Sequence, residues 1–220
     1  MVKTKKLERL PDTIPLFPLP GALLLPSSKL PLNLFEPKYL QMLDDVLKTP
    51  ERLIGMIQTT ENKSKSEDKN LGLHKVGCAG RVINFTETDD SRYLITLTGI
   101  SRFSLIKTIE GFTPYFKAKV DWSGFTVDQD KYVPEVAFDR EKFFKVLSKY
   151  FEVAQLSSDW ESLKNADEEL LVNSLSVLCP FDPEEKQALL EAPTLKGRRE
   201  TLITLMEMTL KAGPNYGPIQ

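Results

Sequence analysis

Residues 91–107 read SRYLITLTGISRFSLIK and residues 113–122 read TPYFKAKVDW, and the alternation in these two stretches decides the class of fold. Tyr93, Ile95, Leu97, Phe103 and Leu105 share one parity. Arg92, Thr96, Thr98, Arg102 and Ser104 share the other, with Leu94, Ile100 and Ile106 among them. Successive side chains of an extended strand point to opposite faces, so this pattern predicts a half-buried strand. In the second stretch Phe116, Ala118, Val120 and Trp122 are expected to face inward, and Lys117, Lys119 and Asp121 outward. Just upstream, Leu73 to Thr86 reads as a further strand in which Gly72, Gly77 and Gly80 signal bulges or tight bends. Asp89-Asp90-Ser91 is a turn signal that makes the two long strands a hairpin.

Toward the N-terminus the strand character continues. Thr13–Leu19 and Gly21–Leu25 are apolar runs cut by prolines, which suits edge or bulged strands. Lys29–Phe35 alternates, with Leu30, Leu32 and Leu34 on one face. The period then changes: Pro37 at a first helical position, followed by Tyr39, Leu40, Leu43, Val46 and Leu47, predicts an amphipathic helix over 36–48. A short strand is expected over 52–58. The polar stretch 59–70 (TTENKSKSEDKN) offers no large apolar side chain and reads as a mobile loop, either a solvated insertion or a lid.

Toward the C-terminus the period becomes helical. Phe143, Phe144, Leu147, Tyr150 and Phe151 recur at helical spacing over 139–153, and Leu170, Leu171, Leu175 and Leu178 over 167–178. Asp182-Pro183-Glu184-Glu185 carries an N-cap, a first-turn proline and a capping-box carboxylate. A last helix runs from Thr194 or Leu195 to Lys211, stopped by Gly213 and Pro214. Strands followed by helices predict an α+β chain: a β-rich part over 1–122, a connector over 123–136, a helical part over 137–212 and a tail over 213–220.

Composition narrows the chemistry. The net charge is −2, so no global basic excess exists to neutralise phosphates, and nucleic acid is an unlikely first partner. No apolar run approaches the ~20 residues of a membrane span, and the prolines after Lys3, Lys5 and Lys6 spoil a signal peptide, so the expected location is the cytoplasm with no membrane partner. Cys78 and Cys179 do not make a disulfide framework and read as small, partly buried thiols. His74 is the single histidine, without supporting neighbours, and reads as a solvent-facing strand residue. Together with two cysteines it falls short of a zinc set, so no metal is expected. Neither a phosphate loop nor a nucleophile elbow is present, and no cofactor is expected. The acidic pairs sit in turns or on helix faces as solvated charge.

One pattern has two readings. A sheet face on which Arg92 and Arg102 mix with Leu94, Ile100 and Ile106 suits an extended peptide. It equally suits a covered face with arginines at its rim, and a bulge at Gly99 would break the parity.

Several segments resemble the Lon N-terminal, substrate-binding domain family. They are Ile14-Pro15-Leu16-Phe17-Pro18-Leu19-Pro20 leading to Leu25-Pro26, then Leu30-Pro31-Leu32-Asn33-Leu34-Phe35-Glu36-Pro37-Lys38-Tyr39, Val76-Gly77-Cys78-Ala79-Gly80-Arg81-Val82, and Arg92-Tyr93-Leu94-Ile95 with Gly99-Ile100-Ser101-Arg102-Phe103. A weaker echo is Glu185 to Glu191. The resemblance implies a PUA-like twisted β-barrel with one helix, followed by a helical bundle. It also implies a non-catalytic module of the stand-alone bacterial kind, without the Lon ATPase or Ser-Lys peptidase, engaging polypeptide substrates or a partner protein through unfolded or apolar segments. Most of the signature is fold maintenance: Phe35 and Tyr39 would anchor the first helix, and Gly99 would let a strand bend. Phe35, Tyr39, Arg92 and Arg102 are the candidate peptide contacts. An RNA-binding PUA-like module is the alternative.

Overall fold

The protein is described from a computed structural model over residues 10–60, 72–88, 92–129 and 138–212. Most of the polar stretch 59–70, the Asp89-Asp90-Ser91 turn, part of the connector and the tail lie outside the described residues. The chain divides into two compact units, residues 1–130 and 131–220.

The first unit holds strands β1 (Thr13–Pro18), β2 (Lys29–Leu34), β3 (Leu53–Ile57), β4 (Val76–Glu87), β5 (Tyr93–Ile109) and β6 (Lys117–Asp121), with helix α1 (Pro37–Leu47) between β2 and β3. The sheet order is β2-β5-β4-β3-β1-β6, and β6 pairs with β5 as well as β1, so the ladder closes on itself. The β1–β3 pair is parallel and the other pairs are antiparallel. A mixed sheet followed by helices is the α+β arrangement expected from the patterning.

Ile14, Leu16, Ile57, Ala79, Phe103, Leu105, Ala118 and Val120 make the core of this unit. Burying the Ile, Leu, Val and Phe side chains among them stabilises by about 1.5–3 kcal/mol each relative to exposure. Register shifts fall between Ala79 and Gly80, between Val82 and Asn84, and between Leu105 and Lys107. The first sits opposite Gly99–Ser101, where the parity was expected to break.

Gly99 is needed for close approach. A Cβ built on it would lie 2.0 Å from the Leu25 carbonyl oxygen. The segment before β2 crosses β5 there: Ser27 N–H donates to Gly99 O (3.0 Å) and Gly99 N–H donates to Ser28 O (2.9 Å). This corrects the strand expected over Gly21–Leu25. Residues 21–25 enter no ladder: Leu23, Leu24 and Leu25 are all buried, and the run is an irregular crossover that bridges β5 just beyond its end, at Pro26 to Gly99. Phe116 is a second correction, because it lies largely exposed just before β6 begins.

Helix α1 starts with Pro37 in its first turn and buries Tyr39, Met42, Leu43 and Val46. Tyr39 packs on Phe17 of β1 with ring centroids 4.2 Å apart. The segment Ser123–Gln129, expected as an aperiodic connector, coils into a 3-10 turn beside β5.

The second unit contains α2 (Arg140–Val153), α3 (Trp160–Asn165), α4 (Glu168–Leu178), α5 (Pro183–Glu191) and α6 (Leu195–Ala212). Each of the first four starts behind an aspartate. Asp139 accepts from Lys142 N–H, Asp159 from Glu161 and Ser162 N–H, and Asp167 from Leu170 N–H. Asp182 and Glu185 form the anticipated capping box. Such caps satisfy backbone donors that the helix cannot, typically contributing ~1 kcal/mol. Helix α6 packs against α2, α4 and α5. Helix α4 buries Leu171 and Leu175 as expected, but Leu170 and Leu178 point outward, and Glu168, Val172, Asn173 and Ser176 complete the buried face. Helix α3 was not anticipated; it buries none of its residues and so leaves no periodic signal. Among the described residues no helix is long and apolar enough to cross a membrane.

Candidate functional site

The four residues singled out from the sequence separate into two pairs. Phe35 follows the last residue of β2 and Arg92 precedes the first of β5, and Leu34 pairs with Tyr93, so antiparallel register brings the first two together. The Arg92 guanidinium carbon lies 5.7 Å from the Phe35 ring centroid. Phe35 is 60% exposed, and Arg92 is exposed. The other two are interior. Tyr39 is held between α1 and Phe17, and burial pushes its phenol above the ordinary value.

Arg102 is 1% exposed. Its backbone N–H and its Nε donate to Asp128 Oδ2 (both 2.9 Å), and its Nη2 donates to Asp128 Oδ1 (2.7 Å). The guanidinium also sits over the Phe125 ring at 4.7 Å. Asp128 and Phe125 both belong to the 3-10 turn, so this turn covers the part of β5 on which a peptide-binding arginine was considered. The fork of a guanidinium matches both carboxylate oxygens, which is why an arginine can be tolerated so deep. Arg102 thus lies under a covered part of this face, while Arg92 and Leu94 lie on an exposed part.

Around Phe35 and Arg92 the register brings together apolar residues named from the alternation with Phe85, which the alternation did not single out. Leu32, Ile95 and Phe85 form one cross-strand row. Ile95 is buried, Leu32 half-buried and Phe85 largely exposed. Tyr93, opposite Glu87, has its phenol raised chiefly by that carboxylate. Leu94 is exposed on the opposite face, between Asn33 and Thr86. A second apolar exposure lies on the β5–β6 hairpin, at Ile106, Ile109, Phe112 and Phe116. Its signal in the sequence was the aromatic in Gly111-Phe112-Thr113, a turn-like setting with nothing to bury it.

A cleft of about 250 Å³ opens beside β1, bordered by Thr13, Pro15, Asp45, Glu51, Tyr115 and Lys117. The Tyr115 hydroxyl donates to Asp45 Oδ2 (2.8 Å). That hydrogen bond holds the Asp45 carboxyl below its ordinary value, while burial raises the Tyr115 phenol. A carboxylate already bound by a phenol, and a phenol kept protonated, make a structural pair and a poor acid–base couple.

The remaining candidates for chemistry are dispersed. His74 is half-buried, not solvent-facing, and donates its backbone N–H to Gln58 O (2.9 Å). Cys78 and Cys179 are free, buried thiols, and burial pushes Cys179 up to about 12. In the helical unit Arg199 pairs with Glu168, and Arg198 donates to Leu189 O (3.0 Å) and Asn173 Oδ1 (2.9 Å). These polar side chains are buried within one unit and serve packing. Among the described residues no group of three or more His, Cys, Asp or Glu is placed to hold a metal ion.

Comparison with known proteins gives a consistent picture. Residues 13–208 match the profile of the ATP-dependent protease La (LON) substrate-binding domain. The chain is 24% identical over 203 residues to Lon protease 2 of Myxococcus xanthus, covering 90% of this chain and 24% of that protein. It is 24% identical over 216 residues to the Lon protease of Flavobacterium johnsoniae, covering 93% of this chain and 25% of the relative. The chain thus spans about a quarter of the length of these curated relatives. Among solved structures it resembles a Lon N-terminal domain protein from Xanthomonas campestris (TM-score 0.61, 20% identity, 87% of this chain and 97% of that one). It also resembles the N-terminal domain of a Mycobacterium avium complex Lon protease (TM-score 0.61, 14% identity, 89% and 98%).

Proposed function

The chain belongs to the LON substrate-binding domain family, and on that premise we propose that it is a non-catalytic recognition module that holds polypeptides through unfolded or exposed apolar segments. The observation that carries this reading is the placement of exposed apolar side chains. Phe35, Ile83, Phe85 and Leu94 stand out on β strands or at their ends in the first unit, beside a buried core that already satisfies the fold. Exposed apolar surface with a stacked arginine is the composition of a protein-contacting patch. Phe35 and Arg92 are the proposed contacts. Tyr39 sets the height of the Phe35 end of α1, and Arg102, through Asp128, fixes the strand that carries Arg92. The closed ladder of β1, β3, β4, β5 and β6 is read as the PUA-type barrel, and the helical unit as a bundle appended to it. The proposed setting is the cytoplasm.

The test is fluorescence anisotropy with a labelled, permanently unfolded (reduced and carboxymethylated) lactalbumin and its native form. The unfolded form should bind, the native form should not, and Phe35→Ser should weaken binding at least ~5-fold, the loss of about 1 kcal/mol expected for an interface aromatic. The mixture should remain uncleaved. Failure of the unfolded form to bind would sink the proposal, as would cleavage abolished by changing a single serine or cysteine.

A further inference from the structure

Resting on that reading, we infer a second contact surface and its chemical preference: the outer face of the β5–β6 hairpin accepts apolar polypeptide segments that are flanked by acidic residues. The register defines this face. Lys107 lies directly opposite Lys119, and Lys119 opposite Thr13 of β1. In the next row Ile109 lies opposite Lys117, and Lys117 opposite Pro15. Neither row itself contains a carboxylate; Lys117 borders the cleft that holds Asp45 and Glu51, so the charge preference is carried by Lys107 and Lys119. Two ammonium groups directly opposite each other across an antiparallel pair repel, an arrangement that lowers stability. The chain tolerates it here although its net charge is negative overall, −2. An incoming Asp or Glu would relieve that repulsion.

The apolar half of the surface is at the same end of the hairpin. Phe112 is fully exposed between β5 and β6, and Ile109, in the outer-facing row with Lys117, is 39% exposed. An aromatic left wholly in water between the strands that carry Lys107 and Lys119 offers an apolar anchor and a charge-selective rim together. A bilayer is the less fitting occupant, because Glu110 stands exposed two residues from Phe112 and would be carried into the headgroup boundary with it. A polypeptide can pass the Glu110 side while its own carboxylates meet Lys107 and Lys119.

The experiment uses the full chain and two dye-labelled peptides with one common core of Leu, Phe, Val and Ile, flanked by Asp pairs in one and Lys pairs in the other. At low salt the Asp-flanked probe should bind at least ~5-fold tighter, and that preference should collapse at high salt as the charges are screened. Phe112→Ser should weaken both probes, and Lys119→Glu should abolish or reverse the preference. Neither change threatens the fold, since Phe112 packs on nothing and Lys119→Glu replaces a repulsive cross-strand pair with an attractive one; circular dichroism and the melting midpoint verify this. Equal affinity for the two probes, or no effect of Phe112→Ser, would overturn the inference. So would tighter binding to anionic phosphatidylglycerol vesicles or to a single-stranded RNA oligomer than to the Asp-flanked probe. Retained binding of unfolded lactalbumin with its Phe35 dependence would show that the hairpin assignment alone had failed, whereas loss of all polypeptide binding would remove the underlying function.

Discussion

The two units treat polar and apolar side chains in opposite ways. Among the described residues, the β unit buries one ion pair, Arg102 with Asp128, and displays Phe35, Phe85, Leu94, Ile109 and Phe112 to solvent. The helical unit displays few large apolar groups, Leu170, Leu178 and Met208, and buries Glu168, Arg198 and Arg199. A closed ladder fills its interior with short-range apolar contacts and close glycine approaches, so surplus apolar residues can stand outside. Helices of this unit carry a weaker apolar stripe, and fixed ion pairs and hydrogen bonds complete their interior. The difference teaches where to test for function: the unit with spare apolar surface carries the proposed contacts, and the other spends its polar groups on internal order.

The largest expected effect is at the crossover in the β unit. Gly99→Ala sets a methyl group 2.0 Å from the Leu25 carbonyl, a collision of backbone with backbone that no rotamer relieves. A loss of ~3 kcal/mol or more is expected in urea unfolding. A change within ~0.5 kcal/mol would break the claim that close approach organises this unit.

The next effect belongs to the helical unit. Glu168→Ala strands Arg199 in a buried position beside Phe138, and should cost about 3 kcal/mol. Replacing both partners with methionine should recover most of that loss, because the pair's own desolvation is removed as well. If the double replacement is as damaging as the single one, the polar interior of this unit does more than fill space.

The smallest effect at neutral pH concerns Cys179. Burial raises its thiol to about 12 against an ordinary 9.0, with Tyr150 and Lys186 opposing the shift weakly. A group whose folded value is raised contributes stability fully below the unfolded value and loses it as pH rises toward the folded one. Stability should therefore be level through pH 8 and fall between about 9 and 12, and iodoacetamide at pH 8 should label Cys179 only after unfolding, as read by mass spectrometry. Rapid labelling of the folded protein would show that the helical interior opens, and would erase the contrast with the β unit.

How much of this was legible in the sequence depends on the range of the interactions. Alternation over 91–107, Pro37 at a helix start and the Asp182–Glu185 box act within a few residues, and the elements formed where those signals stood. The Leu23–Leu25 run was misread because its partner is a glycine more than seventy positions away, and an irregular crossover leaves no period. Arg102 stays between two readings in the sequence for a similar reason: its burial depends on Asp128, in a stretch that carries no pattern of its own. On α4 the leucines at 170 and 178 looked like core, but α6 supplies Arg199, which draws Glu168 inward and rotates those leucines to the surface. The Phe35–Arg92 pair was nameable as residues, though its stacking needed the Leu34–Tyr93 register. The hairpin surface needed register altogether.

The closure of the ladder through β6 has one last consequence. With β1, β3, β4, β5 and β6 each hydrogen-bonded on two sides, β2 is the strand among those described that has a single neighbour, and it carries Pro31 at its centre. A proline cannot donate to an added strand, so a sticky chain arriving at that margin finds the ladder interrupted. That open margin of the ladder is thereby blunted against edge-to-edge growth with other chains.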